Sequence, residues 1–144
     1  MASTTGINTM KGFFRSSHFP LFVWFGIMVI LNSLPGNALP ETASPFHLDK
    51  IAHFVEYYVF GLLLLRSLHL LVPSTPTLLH IVATVAVGIG IGGFDELHQL
   101  FIPNRECTPA DFLTDTIGIL TALCTHRFVF RIIRLNDYRF DRSR

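Results

Sequence analysis

Half of the 144 residues are apolar and only 15% are charged, well below the roughly 25% charge usual in soluble domains, so the chain reads as a single membrane domain. Two cysteines exclude a disulfide framework, and on one shared helix Cys107 and Cys124 would stand about 25 Å apart, so both read as ordinary thiols. The formal net charge of +1 excludes little by itself; the distribution of charge carries the information.

Residues 1–18 are small and polar, with Lys11 and Arg15. An apolar run over 19–31 follows and ends in Asn32-Ser33-Leu34-Pro35-Gly36. A basic flank, a short apolar run and the small residues Gly36-Asn37-Ala38 also describe a cleaved signal peptide. Further apolar segments follow, which favours a retained first span. Residues 35–48 form a loop rich in proline, in which Ser44-Pro45 reads as an N-cap and a first-turn proline. A helix is expected from Phe46 to about Val72, long enough to cross ~30 Å of hydrocarbon. Its first half carries Asp49, Lys50, His53, Glu56 and Tyr57 within an arc of roughly 120°, and such a stripe should face protein or a water-filled cavity. After the turn Val72-Pro73-Ser74-Thr75-Pro76, a third apolar segment covers 77–94. Gly88, Gly90, Gly92 and Gly93 formally match a dinucleotide glycine pattern, but no βαβ unit surrounds them. Gly88 and Gly92, four apart, fit close helix packing in lipid instead.

Residues 92–118 join two apolar runs through Asp95, Glu96, Gln99, Arg105, Asp111 and Asp115. Asp95 and Gln99 share a helical face. Pro103-Asn104 breaks the segment, and Thr108-Pro109-Ala110-Asp111 reads as a capping box that opens a fourth helix to about Phe130. The tail from Arg127 carries six arginines interleaved with Phe, Ile and Tyr, a basic amphipathic segment suited to anionic lipid. Nothing else points to nucleic acid. The expected organisation is therefore all-α: a cytoplasmic segment 1–18, an integral membrane bundle of four transmembrane helices over 19–130, and a short basic cytoplasmic tail over 131–144. Four spans put nine of the eleven Lys and Arg residues on the side of the termini, which makes that side cytoplasmic. The polar ends of helices two, three and four then meet at the outer face.

Three blocks carry a resemblance: Asp49-Lys50-Ile-Ala-His53-Phe54-Val-Glu-Tyr57-Tyr-Val-Phe-Gly61, then Asp95-Glu96-Leu-His-Gln99-Leu-Phe101-Ile-Pro103-Asn-Arg105, then Asp111-Phe-Leu-Thr-Asp115-Thr-Ile-Gly118. In this order they resemble the VanZ-like family of small polytopic bacterial membrane proteins, named for a member linked to teicoplanin resistance. The resemblance implies a multi-pass protein of the bacterial cytoplasmic membrane. The chain departs from the pattern at Asp115, where the family often has Asn, at Asn104, where Gly is usual, and at Glu56, where an apolar residue is usual.

The candidate binding residues are Asp49, Lys50, His53, Tyr57, Asp95, Glu96, Gln99, Arg105, Asp111 and Asp115. His53, Asp49 and Glu96 are the candidates for catalysis. Three functions compete. An outward-facing polar pocket would bind an envelope lipid head group, a lipid-linked precursor or a glycopeptide-like ligand, with Lys50 and Arg105 taking phosphate or carboxylate and the acids taking amines or hydroxyls. A membrane enzyme would act on a lipid-linked substrate with His53 as general base oriented by Asp49. A proton-coupled transporter would use the carboxylates as a relay, against which stand the small size and the lack of an inverted repeat. The plain structural alternative is that Asp49, Lys50 and Arg105 serve the fold, the two cations neutralising Asp95, Glu96 and Asp115. Asp111 has a structural role open to it as a capping residue, and Tyr57 one in packing. No cofactor is expected. Asp49, His53, Asp95, Glu96 and Asp115 are donors suited to zinc, manganese or magnesium, but no HxxxH or HExxH spacing is present and no metal is assigned. No nucleophile elbow supports a serine hydrolase.

Overall fold

The computed structural model describes residues 18–35, 45–105 and 107–141, with side chains over 18–35, 48–105 and 107–132. Four helices make up the described chain: α1 (Phe19–Asn32), α2 (Pro45–Leu71), α3 (Thr77–Gln99) and α4 (Pro109–Asp141). No strand occurs among the described residues. The Ser44 cap, the segment 1–17 and the side chains of the arginine-rich end lie outside what is described. α3 runs past the apolar segment to Gln99, as the shared helical face of Asp95 and Gln99 requires, and ends before the break at Pro103. α4 continues to Asp141 rather than stopping near Phe130. No Gly or Pro occurs after Gly118 to end it.

Two helices, over Leu48–Leu71 and Thr77–Gln99, are long and apolar enough to cross a membrane. The expected four are thus met by two on this criterion. α1 has 14 residues, a rise of about 21 Å against a hydrocarbon core of ~30 Å. α4 is long enough, but Asp111, Asp115, His126 and Arg127 interrupt its apolar run.

α2 and α4 make the most extensive helix pairing, and α3 and α1 pack against this pair. Small residues set the closest approaches. A Cβ on Gly61 would come within 3.0 Å of Ala122 Cβ, and one on Gly118 within 2.8 Å of the Phe54 carbonyl oxygen. On α3, a Cβ on Gly88 would meet Ile119 at 2.8 Å, which is the close packing that the Gly88/Gly92 spacing predicts. Tyr57, Leu65, Ile119 and Ala122 are buried where these helices meet. Trp24 Nε1 donates to the Glu56 carbonyl at 3.0 Å and ties α1 to α2.

The interior also holds Asn32, His53, Glu56, His80, Thr84, Glu96, Gln99, Asp111 and Asp115, whereas Phe22, Leu78, Phe94 and Phe101 are exposed, the last at 82%. Polar residues within and large apolar residues outside reverse the order of a water-soluble domain and suit a hydrocarbon solvent. The fold thus supports membrane residence through its side-chain distribution as well as its composition.

Candidate functional site

The polar layer lies where α2 and α4 begin and α1 and α3 end. α2 and α4 face each other as three rungs, about one turn apart. Lys50 Nζ donates to Asp111 Oδ1. His53 Nδ1 bonds Asp115 Oδ1 at 3.0 Å. Tyr57 then lies across from Gly118, where an added Cβ would be 3.1 Å from Tyr57 Cβ. The spacing 50–53–57 on one helix and 111–115–118 on the other keeps each set on a single face.

The charges pair differently from the expectation that Lys50 and Arg105 neutralise Asp95, Glu96 and Asp115. Lys50 takes Asp111, and Arg105 Nη1 donates to Asp49 Oδ1 at 3.3 Å. Both cations sit at the end of the bundle, and His53 and Asp115 lie one turn further in. Asp115 therefore takes His53, and Asp95 Oδ2 accepts from Asn32 Nδ2 at 2.7 Å. Glu96 Oε2 accepts the Thr108 backbone N–H at 3.1 Å. That last bond modifies the predicted capping box. Thr108 Oγ1 accepts the Asp111 backbone N–H at 3.3 Å, as the box requires, but the Thr108 N–H goes to Glu96 on α3 and not to Asp111. Glu96 thereby joins the end of α3 to the start of α4. The ring of His53 is held by Asp115, not by Asp49 as expected; Asp49 remains near, with a carboxylate oxygen within 4.8 Å of a His53 nitrogen.

Arg105 also donates from Nε to the Leu34 carbonyl at 3.3 Å and from Nη2 to the Leu31 carbonyl at 3.2 Å. It satisfies the open end of α1 while pairing with α2. Arg105→Ala should lower stability by about 1.5–3 kcal/mol, and Arg105→Lys should recover only part of this, because one ammonium cannot hold three acceptors in the guanidinium geometry. Thermal unfolding of the detergent-solubilised variants reads the difference. Asn104, just before it, has φ 59°, the left-handed region that Gly and Asn tolerate best. This explains why Asn stands where the resembling sequences usually carry Gly.

Six buried polar atoms in or beside this layer have no hydrogen-bond partner: His53 Nε2, Glu56 Oε2, Tyr57 Oη, Glu96 Oε1, Gln99 Nε2 and Asp115 Oδ2. Buried polar groups are normally satisfied, so this concentration marks a place prepared for something polar. Donor atoms of Asp49, His53 and Asp111, and separately of His53, Asp95 and Asp115, lie within 4.8 Å of one another. His53 is common to both groups.

A cavity of about 180 Å³ opens between α1, α2 and α3. Phe25, Met28, Val29, Gly90, Ile91 and Phe94 give it apolar walls, and Asn32, Tyr57, Asp95 and His98 supply polar groups. Of the ten candidate binding residues, only Tyr57 and Asp95 line it. His53, Gln99, Glu96 and Asp115 are buried beside it, and Asp49, Lys50, Arg105 and Asp111 form the ion-paired rim. Asn32 was not singled out from sequence, and His98 falls away from the Asp95–Gln99 face by helical spacing and was set aside, yet both line the cavity. Asn32 ends an apolar run and reads as a turn residue; its only signal is that it is the first polar side chain after 13 residues of the first helix. Cys107, exposed on the loop before α4, has its thiol pushed up by desolvation and by the nearby Glu96 carboxylate, which disfavours a reactive thiolate.

The VanZ/LLP1 family model matches residues 3–132. No curated protein and no solved structure matches the chain.

Proposed function

Because the chain belongs to the VanZ/LLP1 family, we propose that it is a multi-pass protein of the bacterial cytoplasmic membrane that binds the head group of an envelope amphiphile in its polar layer. In this reading α1 and α4 also span, α1 as a short span that thins or tilts within the bilayer. The termini are cytoplasmic by the charge distribution, and the polar end of the bundle faces outward. One observation carries the proposal: an apolar cavity ends on the half-buried Asp95 carboxylate, with unpartnered buried polar atoms behind it. An acyl chain would lie along Phe25, Met28, Ile91 and Phe94, and an amine or hydroxyl of the head group would meet Asp95.

Gly90 lines the cavity, and a Cβ there would meet nothing within 4 Å. Gly90→Leu therefore fills the crevice without forcing the helices apart. The amphiphile that co-purifies with the wild-type chain, measured by lipid mass spectrometry, should fall about tenfold in Gly90→Leu, with unfolding temperature retained. Equal lipid retention in both, or bulk phospholipid alone in the wild type, would count against head-group binding.

A catalytic reading has its own support. His53 Nδ1 is held by Asp115 at 3.0 Å while Nε2 has no partner, the arrangement of an oriented base. Phosphate release from lipid-linked substrates by wild type but not by His53→Gln would favour an enzyme; equal release would remove the role.

A further inference from the structure

We propose that the chain binds one divalent transition-metal cation between His53, Asp95 and Asp115. The three side chains come from α2, α3 and α4, and one donor atom of each lies within 4.8 Å of the others. Zinc ligands about 2.1 Å from the metal stand roughly 3.4 Å apart in a tetrahedron, so the donors close by no more than a small rotation of side chains.

A buried carboxylate oxygen and a buried imidazole nitrogen point to what is missing. His53 and Asp115 are each 1% exposed. Asp115 Oδ2 and His53 Nε2 have no partner, although each residue's other polar atom is engaged in the pair between them. Unsatisfied polar atoms this deep are costly, and a cation bound at Asp115 Oδ2 removes the cost there. The cluster is also more than a set of acids, since it contains an imidazole whose second nitrogen remains available to carry its proton.

Charge selects this group over the outer one. Asp49 and Asp111, which form the other group with His53, already face Arg105 and Lys50. Asp95 and Asp115 instead take a neutral amide and an imidazole. Two carboxylates and a dication sum to zero, which suits a low-dielectric setting. The surroundings are those of a supported site. Asn32 fixes Asp95 from behind at 2.7 Å, the role of an outer-shell partner. A Cβ on Gly92 would stand 3.3 Å from Asp115 Oδ2 and 3.6 Å from Tyr57 Cε1, so the glycine leaves room at the donor and beside the unpartnered Tyr57 hydroxyl. One imidazole with two carboxylates matches zinc or manganese better than magnesium, which prefers oxygen and retained water. The inference shares the polar layer with head-group binding but does not rest on it, because the metal could hold three helices together without any lipid.

The test uses the full-length chain, purified in detergent without a polyhistidine tag, stripped with chelator and titrated with zinc and with manganese. Elemental analysis should return one equivalent of one of them per chain. Asp95→Asn and Asp115→Asn should each weaken binding roughly tenfold or more, and His80→Ala, near the other end of the bundle, should not. Should a variant fail to fold, X-ray absorption at the metal edge of the loaded wild type still decides, with one imidazole among oxygen ligands expected. Binding that survives both aspartate changes, no stoichiometric metal, or a spectrum without imidazole overturns the site. Lipid content measured on the same samples keeps the readings separate: metal without a specific lipid removes only head-group binding, and lipid without metal removes only this site.

Discussion

His53→Ala is expected to destabilise the chain by about 3–5 kcal/mol, the cost of breaking a buried pair from one side. The substitution removes the Asp115 partner at 3.0 Å and leaves a carboxylate that is 1% exposed. It also opens a cavity in the layer where α2 meets α4. The metal-free chain in detergent is the right sample, because a bound cation would add its own ligand loss. A double-mutant cycle isolates the pair. Asp115→Ala should cost a similar amount alone, and the double variant clearly less than the sum of the two, because removing both partners leaves no orphan. Asp115→Asn should be mildest, since an amide still bonds the imidazole without a charge. By contrast, Lys50→Ala removes the cation of a pair that is partly open to solvent, with the lysine side chain 21% exposed, so the rim contributes less than the inner rung. Denaturant or thermal unfolding measures all of these. Strictly additive losses at His53 and Asp115 would show that the two do not act as a pair.

The sequence made the helices legible wherever breakers and periodicity agree. Pro45, the prolines of residues 73–76, and the Pro103-Asn104 and Thr108-Pro109 breaks mark where helices start and stop, because proline cannot supply the N–H that an interior turn needs. The polar stripe of α2 was equally legible: His53, Glu56 and Tyr57 recur at helical spacing, and all three are buried. The pairing was not. Which acid a cation meets depends on depth along the bundle axis, and depth is set by how α2 and α4 slide past each other at Gly61 and Gly118. That offset places Lys50 against Asp111 and His53 against Asp115, and a charge count along one helix cannot supply it. Asn32 was missed for a related reason. A single amide at the end of an apolar run gives the same signal as a turn until α3 brings Asp95 beside it. The cavity was not legible either, since it exists only where α1 leaves the bundle slightly open beside Gly90.

These facts describe one design. Small residues bring α2, α3 and α4 close enough for three polar side chains from three helices to share a few ångströms. Arg105 then anchors the end of α1 over them through the Leu31 and Leu34 carbonyls. α1 is the shortest helix and is tied to the others by a few directed bonds, from Trp24, Asn32 and the Leu31 and Leu34 carbonyls. If the polar layer admits a ligand, α1 is the helix whose displacement costs least, and the cavity on its inner side is where entry would begin.

Gly118→Ala should destabilise the chain by about 3 kcal/mol or more, at the upper end for overpacking. The new Cβ would lie 2.8 Å from the Phe54 carbonyl oxygen and 3.1 Å from the Tyr58 backbone nitrogen. Both are backbone atoms of α2, held in their own helical hydrogen bonds, so neither can swing aside as a side chain would. Relief requires α2 and α4 to separate by some tenths of an ångström at the point where they come closest. The rungs above, His53–Asp115 and Lys50–Asp111, would stretch with them. Gly90→Ala places the same methyl group on a helical backbone with nothing within 4 Å. There the better helix propensity of alanine should be neutral to stabilising by about 0.5–1 kcal/mol. The two substitutions are chemically identical, so the difference in sign between them isolates the α2–α4 contact from any general effect of replacing glycine. Unfolding temperature and the fraction of monodisperse protein in size exclusion report it. A Gly118→Ala variant within the error of wild type would mean that the two helices do not approach as closely as described, and the alignment of the His53–Asp115 rung would have to be reconsidered with them.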